Sequence, residues 1–185
     1  MANSIIMNDT KSPIKVLFDE HEIIISAIQI AKKADKLLDK DKVAYEQVIR
    51  DLINFFRSYA DQYHHNKEEN ILFPLMSKKN EFLEDGVLKE MFDNHADFRS
   101  MIKSIEMFLD GKDYNEAQHQ LNIYGEALLD HIAVENDEVF QMAETLLNKE
   151  ELEKMYFNFE DCDRELGGAK KSQLAEQLKE IQNKL

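Results

Sequence analysis

A histidine and a glutamate recur at the same spacing in two distant segments of the sequence. The segment that begins at His64 aligns without gaps with the segment that begins at His131, and each carries a glutamate four residues later, Glu68 and Glu135. On a helix, side chains four residues apart lie on one face, so each segment can present an imidazole and a carboxylate together. Pairs of this kind, projected from facing helices into a bundle core, bind metal ions. The repeat therefore predicts a metal site between two helices.

His64 has a second histidine beside it, and helical spacing distinguishes the two. The residues four and eight positions before His64 are small or apolar, whereas those before His65 are Asp61 and Arg57. On a regular α-helix this pattern directs His64 into the core and His65 to its edge. We therefore predict that His64 is the ligand of the pair.

His21 and His95 lie on the apolar faces of two further predicted helices. Counted from the turn that joins each pair of helices, His21 and His64 differ in depth by three residues, and so do His95 and His131. At ~1.5 Å per residue each difference is less than one turn. A single histidine on an apolar face is more often a hydrogen-bonded core residue than a ligand. Four histidines and two carboxylates buried at one level would cost several kcal/mol if left unpaired, and a metal ion is the simplest way to satisfy them. The candidate metal ligands are therefore His21, His64, Glu68, His95, His131 and Glu135.

Long helices must bring these residues together, and the apolar periodicity predicts four of them. Ser12 before Pro13, and Asp113 followed by Glu116, are typical of helix starts, and Gly111 is placed to end the third helix. Because the links are short, we predict an all-α, antiparallel up-down-up-down four-helix bundle. The predicted ranges are about 13–39, 41–79, 82–109 (or from after 86) and 113–146.

The residues after the fourth helix form a C-terminal extension. Apolar stripes around Phe159 and Leu178, separated by a break at Gly167, predict two extra helices. The extension packs on the bundle, binds a partner or joins two copies as a homo-oligomer, and the sequence does not choose among these. The predicted organisation is a flexible N-terminus over 1–12, the bundle over 13–147 and the extension over 148–185.

Composition narrows the class of protein. Charged residues make up 32% of the 185 residues, with only 5 glycines and 2 prolines, which is typical of long helices and not of sheets. The formal net charge of −14 would repel a nucleic-acid backbone, so we predict no nucleic-acid partner. Cys162 is the only cysteine, which excludes a thiolate metal cage and leaves histidine and carboxylate as ligands.

Two features lead us to expect a cytoplasmic protein. No apolar stretch approaches the ~20 residues that span a bilayer, so we predict no membrane partner. The N-terminal residues Met1 to Ser4 lack the basic and then apolar pattern of a signal peptide.

With these motifs the chain resembles the hemerythrin and HHE cation-binding family over roughly residues 13–147. The resemblance is carried by residues 19–22, 64–74, 94–99 and 131–135, which contain the four histidines. It implies that these histidines are imidazole ligands, and that Glu68 and Glu135 bridge two irons with an oxo or hydroxo group between them. It also implies an open coordination position for dioxygen, nitric oxide or peroxide, and the same ligands suit other divalent metals.

The third helix departs from the family pattern at Arg99. Oxygen-carrying members have a second histidine four residues after the one that corresponds to His95, and Arg99 stands at that position. The site could recruit Glu22, His65 or Glu69 in its place.

Three functions are compatible with the sequence. The first is a binding or sensing protein for dioxygen or nitric oxide, or a protein that handles iron. The second is a redox enzyme that reduces peroxide or oxidises iron, which the incomplete histidine set at Arg99 favours. The third is an adaptor bundle that binds a protein and holds a structural metal.

Overall fold

The structure is a computed structural model that describes residues 12–183 and 185. These residues contain no strand and form six helices, which we label in chain order. Helices α1 to α4 form the predicted all-α, antiparallel up-down-up-down bundle, and α5 and α6 are the C-terminal additions. The predicted flexible segment over 1–12 lies, apart from Ser12, outside the described residues. The helices are α1 (Pro13–Lys33), α2 (42–79), α3 (Val87–Asp110), α4 (114–146), α5 (Lys149–Leu166) and α6 (Gly168–Gln182).

The predicted caps are formed. Ser12 Oγ accepts a hydrogen bond from the Lys15 amide at 3.4 Å, and the Asp113 carboxylate accepts one from the Glu116 amide at 3.2 Å. These side chains satisfy amides that have no partner within the helix. Helix α1 ends earlier than predicted, because the Ala34 amide bonds the carbonyl three residues back and tightens the last turn. A single further turn, Asp35–Leu38, follows.

The third helix begins after Gly86, the second of the two predicted starts, and ends at Asp110. Gly111 follows it but has an ordinary φ of −73°. The left-handed conformation is taken by Lys112 instead, with φ of 60°. Gly111 thus marks the helix end without supplying the left-handed residue that often terminates a helix.

Helices α2 and α4 are interrupted by π-helical turns. These cover Phe56–His65 and Glu68–Leu72 in α2 and Glu135–Val139 in α4. In such turns each amide bonds the carbonyl five residues back, so the turn is wider than an α-turn. All three occur in the two segments that carry the repeated histidine and glutamate. The π-helical turns therefore affect the directions in which the candidate ligands point.

A polar layer crosses the bundle between two apolar clusters. The larger cluster fills one half of the core and the smaller cluster fills the other. Each of the four bundle helices passes from one cluster to the other through its candidate ligands. The flanking residues are Ile24 and Leu17 on α1, Ala60 and Leu72 on α2, Phe98 and Met91 on α3, and Leu128 and Val139 on α4.

The C-terminal extension packs on the bundle. Met155 and Phe159 of α5 are buried in the smaller cluster, and Leu174, Leu178 and Ile181 of α6 are buried in the larger one. Of the three arrangements left open by the sequence, the structure shows the first for both apolar stripes. None of the described helices combines the length and the apolar character that crossing a bilayer needs.

Candidate metal centre

The six predicted ligands meet in the polar layer. His21 comes from α1, His95 from α3, and the two pairs His64 with Glu68 and His131 with Glu135 come from α2 and α4. Each of the six is at most 3% exposed. The structure thus brings together every side chain that the spacing selected.

Two histidines form one end of the centre, which we call the first pole: His21 and His64. His21 Nε2 lies 3.2 Å from Glu135 Oε2, and His64 Nε2 lies 3.4 Å from Glu68 Oε1. One ligand atom from each of these four residues lies within 4.8 Å of all the others. That spacing suits four donors around a single ion.

Three histidines form the other end, the second pole: His65, His95 and His131. Their closest nitrogens also lie within 4.8 Å of one another, and His95 Nε2 is 3.0 Å from His131 Nε2. The His65 ring stacks on the His95 ring with centroids 3.8 Å apart. The second pole therefore offers three imidazoles, of which the sequence predicted two.

Glu68 and Glu135 lie between the poles. Glu68 Oε1 faces His64, while its other oxygen lies 3.8 Å from His95 Nε2. Glu135 Oε2 is 3.2 Å from both His21 Nε2 and His131 Nε2. Each carboxylate thus faces nitrogens of both poles.

Several polar atoms at the centre face one another but make no hydrogen bond. Both oxygens of Glu68, both of Glu135, and Nε2 of His21 and of His64 are buried without a hydrogen bond. Unpaired buried carboxylates are costly, and burial beside a cation is the usual solution. The residues present therefore fit a metal site with nitrogen and carboxylate donors.

The far nitrogens of the predicted histidine ligands are held by other side chains. His21 Nδ1 lies 2.8 Å from Asn136 Oδ1, His64 Nδ1 lies 3.1 Å from Glu20 Oε2, and His95 Nδ1 lies 2.8 Å from Glu69 Oε1. The Asn94 amide lies 3.5 Å from His131 Nδ1. Such partners fix the ring orientation and direct Nε2 toward the centre, where a metal could bind.

Sequence reasoning missed these outer residues, although the sequence carried a signal for them. Each stands directly beside a candidate ligand but serves a histidine on another helix. Asn136 follows Glu135, Asn94 precedes His95, and Glu20 precedes His21. A polar residue directly before or after a candidate ligand can therefore indicate a side chain that orients a histidine of a neighbouring helix.

Imidazole and carboxylate groups of the site shift each other's pKa. Burial by itself would lower the pKa of His64, but Glu68 and Glu20 beside it raise that pKa to about 10. For Glu135 burial would raise the pKa, yet His131 and His21 hold it well below its usual value. Metal binding at His64 must displace the proton that these carboxylates favour.

Comparison with protein-family models gives an independent result. Residues 12–143 match the model described as the Hemerythrin HHE cation binding domain, which is more than half of the chain. The chain belongs to this family. No curated protein and no solved structure matches it. Membership, together with the histidine and glutamate clusters, assigns metal-cation binding to the bundle.

In this hemerythrin HHE chain the prediction that His65 lies at the core edge was wrong. His65 is 3% exposed and belongs to the second pole. The prediction assumed a regular α-helix, whereas His65 ends a π-helical stretch in which side chains five residues apart align. Five and ten residues before it stand Ala60 and Phe55, both buried. Burial and the neighbouring His95 also lower its pKa well below the usual value, which keeps the imidazole neutral and able to bind a metal.

Of the three substitutes considered for the missing family histidine, only His65 joins the candidate donors. Glu22 is exposed. Glu69 lies behind His95 and accepts a hydrogen bond from Arg99 at 2.7 Å, so it is an outer partner. Arg99 itself also donates to Asp61 at 2.7 Å and ties the α2 and α3 surfaces together.

Proposed function

We propose that this hemerythrin HHE protein holds a dinuclear non-haem iron centre that binds or senses dioxygen or nitric oxide. The observation that carries the proposal is the placement of Glu68 and Glu135, whose unpaired oxygens face nitrogens of both poles. A bound pair of irons would supply an open coordination position and one-electron redox changes.

The donor set supports iron. Imidazole and carboxylate donors suit iron, and the described part of the chain places no thiolate at the site. His21 and His64 would hold one ion, the second pole would hold the other, and both carboxylates would bridge them. Asn136, Glu20 and Glu69 would keep the imidazoles oriented toward the ions.

A cavity of about 220 Å³ supports access of a small ligand to the second pole. It lies among α2, α3 and α4, and its lining includes both the buried His65 and the partly exposed Arg99. The rest of the lining combines apolar residues, such as Phe56 and Phe98, with the charged side chains of Arg57, Asp61 and Lys103.

Two observations weigh against the alternatives. His65 brings a fifth imidazole to the second pole, so the missing family histidine at Arg99 no longer by itself favours a redox enzyme. Met155 and Phe159 of α5 and Leu174, Leu178 and Ile181 of α6 are buried against the bundle, which leaves these side chains unavailable to the partner that the adaptor hypothesis needs.

The test is an optical titration of dioxygen and nitric oxide into the iron-loaded, anaerobically reduced protein. We expect a new absorption band with at least one gas, and its reversal when the gas is removed. Absence of any spectral change with either gas would contradict the proposal. Catalytic consumption of peroxide by the same protein, without reversible gas binding, would assign the redox-enzyme function instead.

A further inference from the structure

A buried carboxylate outside the candidate ligands connects the first pole to the C-terminal extension. Glu20 is 2% exposed, and its Oε2 lies 3.1 Å from His64 Nδ1. Its other oxygen accepts hydrogen bonds from Lys67 Nζ at 2.6 Å and from Lys171 Nζ at 3.2 Å. One side chain thus joins a candidate ligand of α2 to an ammonium group on α6.

Lys67 is fully buried, which is unusual for a lysine. Its ammonium donates to Tyr63 OH at 2.7 Å and to Asp163 Oδ1 at 3.0 Å, and it lies 5.3 Å from the centroid of the Phe159 ring. A buried cation is tolerated only when it is paired and hydrogen-bonded. Because Asp163 and Phe159 belong to α5, the extension makes this burial possible.

Lys171 completes the arrangement from α6. Its ammonium lies 3.3 Å from Asp163 Oδ2 and donates to Tyr63 OH, which in turn donates to Asp163. Two carboxylates, Glu20 and Asp163, therefore alternate with two ammonium groups, Lys67 and Lys171. We call these four residues the charge quartet; its formal charge is zero, and the extension supplies half of it.

We propose that the C-terminal extension tunes the metal affinity of the first pole through the charge quartet, with Asp163 and Lys171 as positioning residues that act on His64 by way of Glu20. The inference rests on the metal centre proposed above. Asp163 and Lys171 do not contact His64 themselves. Within the quartet, only Glu20 makes that contact.

Electrostatics gives the two residues opposite effects. Removing the Lys171 charge leaves the quartet with a net negative charge behind His64, which favours a divalent cation at the pole. Removing the Asp163 charge leaves a net positive charge and disfavours the same cation. A residue that only held the fold together would weaken metal binding in either variant, so the sign of the change separates the two roles.

The experiment is a titration of metal-free full-length protein with Co²⁺, followed by its visible absorption bands. Glu20→Gln sets the scale, because loss of a direct outer-shell partner lowers metal affinity about tenfold or more. We expect Lys171→Met to raise the Co²⁺ affinity and Asp163→Asn to lower it, each by about threefold to tenfold.

Matched controls come from the neighbouring residues. Lys170→Met removes an exposed charge of the same sign from α6, and Asp161→Asn removes an exposed one from α5. Neither should change the Co²⁺ affinity beyond the error of the titration, because neither residue touches the quartet. Thermal unfolding of each metal-free variant reports any loss of fold separately.

The outcomes distinguish the inference from the proposal beneath it. Wild-type affinity in both Lys171→Met and Asp163→Asn, or a loss in both, would overturn the tuning role while leaving the metal centre intact. A wild-type protein that binds neither Co²⁺ nor iron would overturn the metal centre and the tuning role with it.

Discussion

The imidazole rings of the four predicted histidine ligands are oriented before any metal binds. Each of these rings has Nδ1 next to a side chain from another helix, and for His21, His64 and His95 that partner is an oxygen within 3.1 Å. The free Nε2 atoms then converge on Glu68 and Glu135. A site with fixed donors binds its ion without the cost of ordering them.

The bridging carboxylates should be the most sensitive positions. Glu68→Ala or Glu135→Ala removes a donor from both poles, so each should abolish most of the bound metal. Glu69→Ala removes only the outer partner of His95 and should weaken binding by about 10–100-fold. Metal content at saturating metal, measured by elemental analysis, should therefore fall far more in the first two variants. Equal retention in all three would remove the proposed ligand set.

His65 gives a second prediction at this scale. If it is the third imidazole of the second pole, His65→Gln should lower the affinity for the second ion while leaving the first ion bound. The matched control is His119→Gln, since His119 is exposed on α4. Stepwise Co²⁺ titration measures both affinities, and a His65→Gln variant that binds two ions like the wild type would show that His65 only packs.

Sequence reasoning worked for the residues that lie on regular spacing and failed where the winding changes. His64 with Glu68, and His131 with Glu135, followed from a spacing of four that survives in the folded helices. The burial of His65 did not follow, because it depends on i→i+5 turns that no local residue preference announced. The pairing of Lys67 with Glu20 and Asp163 was equally inaccessible, since it joins three helices distant in sequence.

At the scale of the helices, the π-helical turns coincide with the candidate ligands. Within the π-helical stretch His64 and His65 are both buried, although they are adjacent in sequence, and each belongs to a different pole. Turns of this type are less favourable than α-turns and occur often at functional sites. Helices α2 and α4 thus depart from regular α-helical geometry in the segments that carry the candidate ligands.

A salt-bridge cluster at one end of the bundle predicts a pH effect on stability. Glu46 of α2 accepts hydrogen bonds from Lys112 at 2.8 Å, Arg50 at 2.9 Å and Tyr114 at 2.8 Å. Together these bonds lower the pKa of Glu46 from 4.5 to about 2. Because the folded pKa is depressed, the stabilisation is complete above pH 4.5 and is lost as the pH falls toward 2.

Glu46→Gln should therefore cost about 0.5–1 kcal/mol at pH 7, since the cluster is near the surface. The gap to wild type should close as the pH is lowered from 4.5 toward 2. Urea unfolding of the metal-free proteins measures this difference in the free energy of unfolding. In a Lys112→Met background, which lacks the main partner of Glu46, the difference at pH 7 should be smaller. A gap that stays constant over this pH range would refute the assignment.

Close packing of α1 on α4 gives another prediction. A Cβ added at Gly125 would lie 2.9 Å from Ile28 Cγ2, closer than such atoms approach. Gly125→Ala should destabilise the fold, because overpacking typically costs about 1–3 kcal/mol and alanine regains only about 1 kcal/mol in helix preference. In an Ile28→Ala background the same change should be neutral or stabilising. Chemical denaturation measures both, and a Gly125→Ala variant more stable than wild type would contradict the prediction.

The bundle itself was predictable because its signals are local. Periodic apolar residues, the caps at Ser12 and Asp113 and the short links predicted four antiparallel helices, and the structure confirms them. Placement of α5 and α6 was not predictable, since an amphipathic helix has the same pattern whether it covers its own bundle or another chain. The contacts of Phe159 and Leu178 decide it.

At the scale of the whole molecule, a polar layer separates the two apolar halves of the core. This layer holds buried carboxylate oxygens of Glu68 and Glu135 that make no hydrogen bond within the protein, and such groups are costly to bury. A bound ion would convert the layer into a crosslink among four helices. The C-terminal extension, through the charge quartet, connects the surface of the molecule to the same layer.

The central claim is that the two poles hold two irons bridged by Glu68 and Glu135. The most direct test is the metal content per chain of protein prepared without a metal-affinity tag and reconstituted anaerobically with iron, together with optical spectra in air and after reduction. The account predicts about two irons per chain and near-ultraviolet oxo-bridge bands in air that disappear on reduction. Negligible bound iron after reconstitution would contradict it.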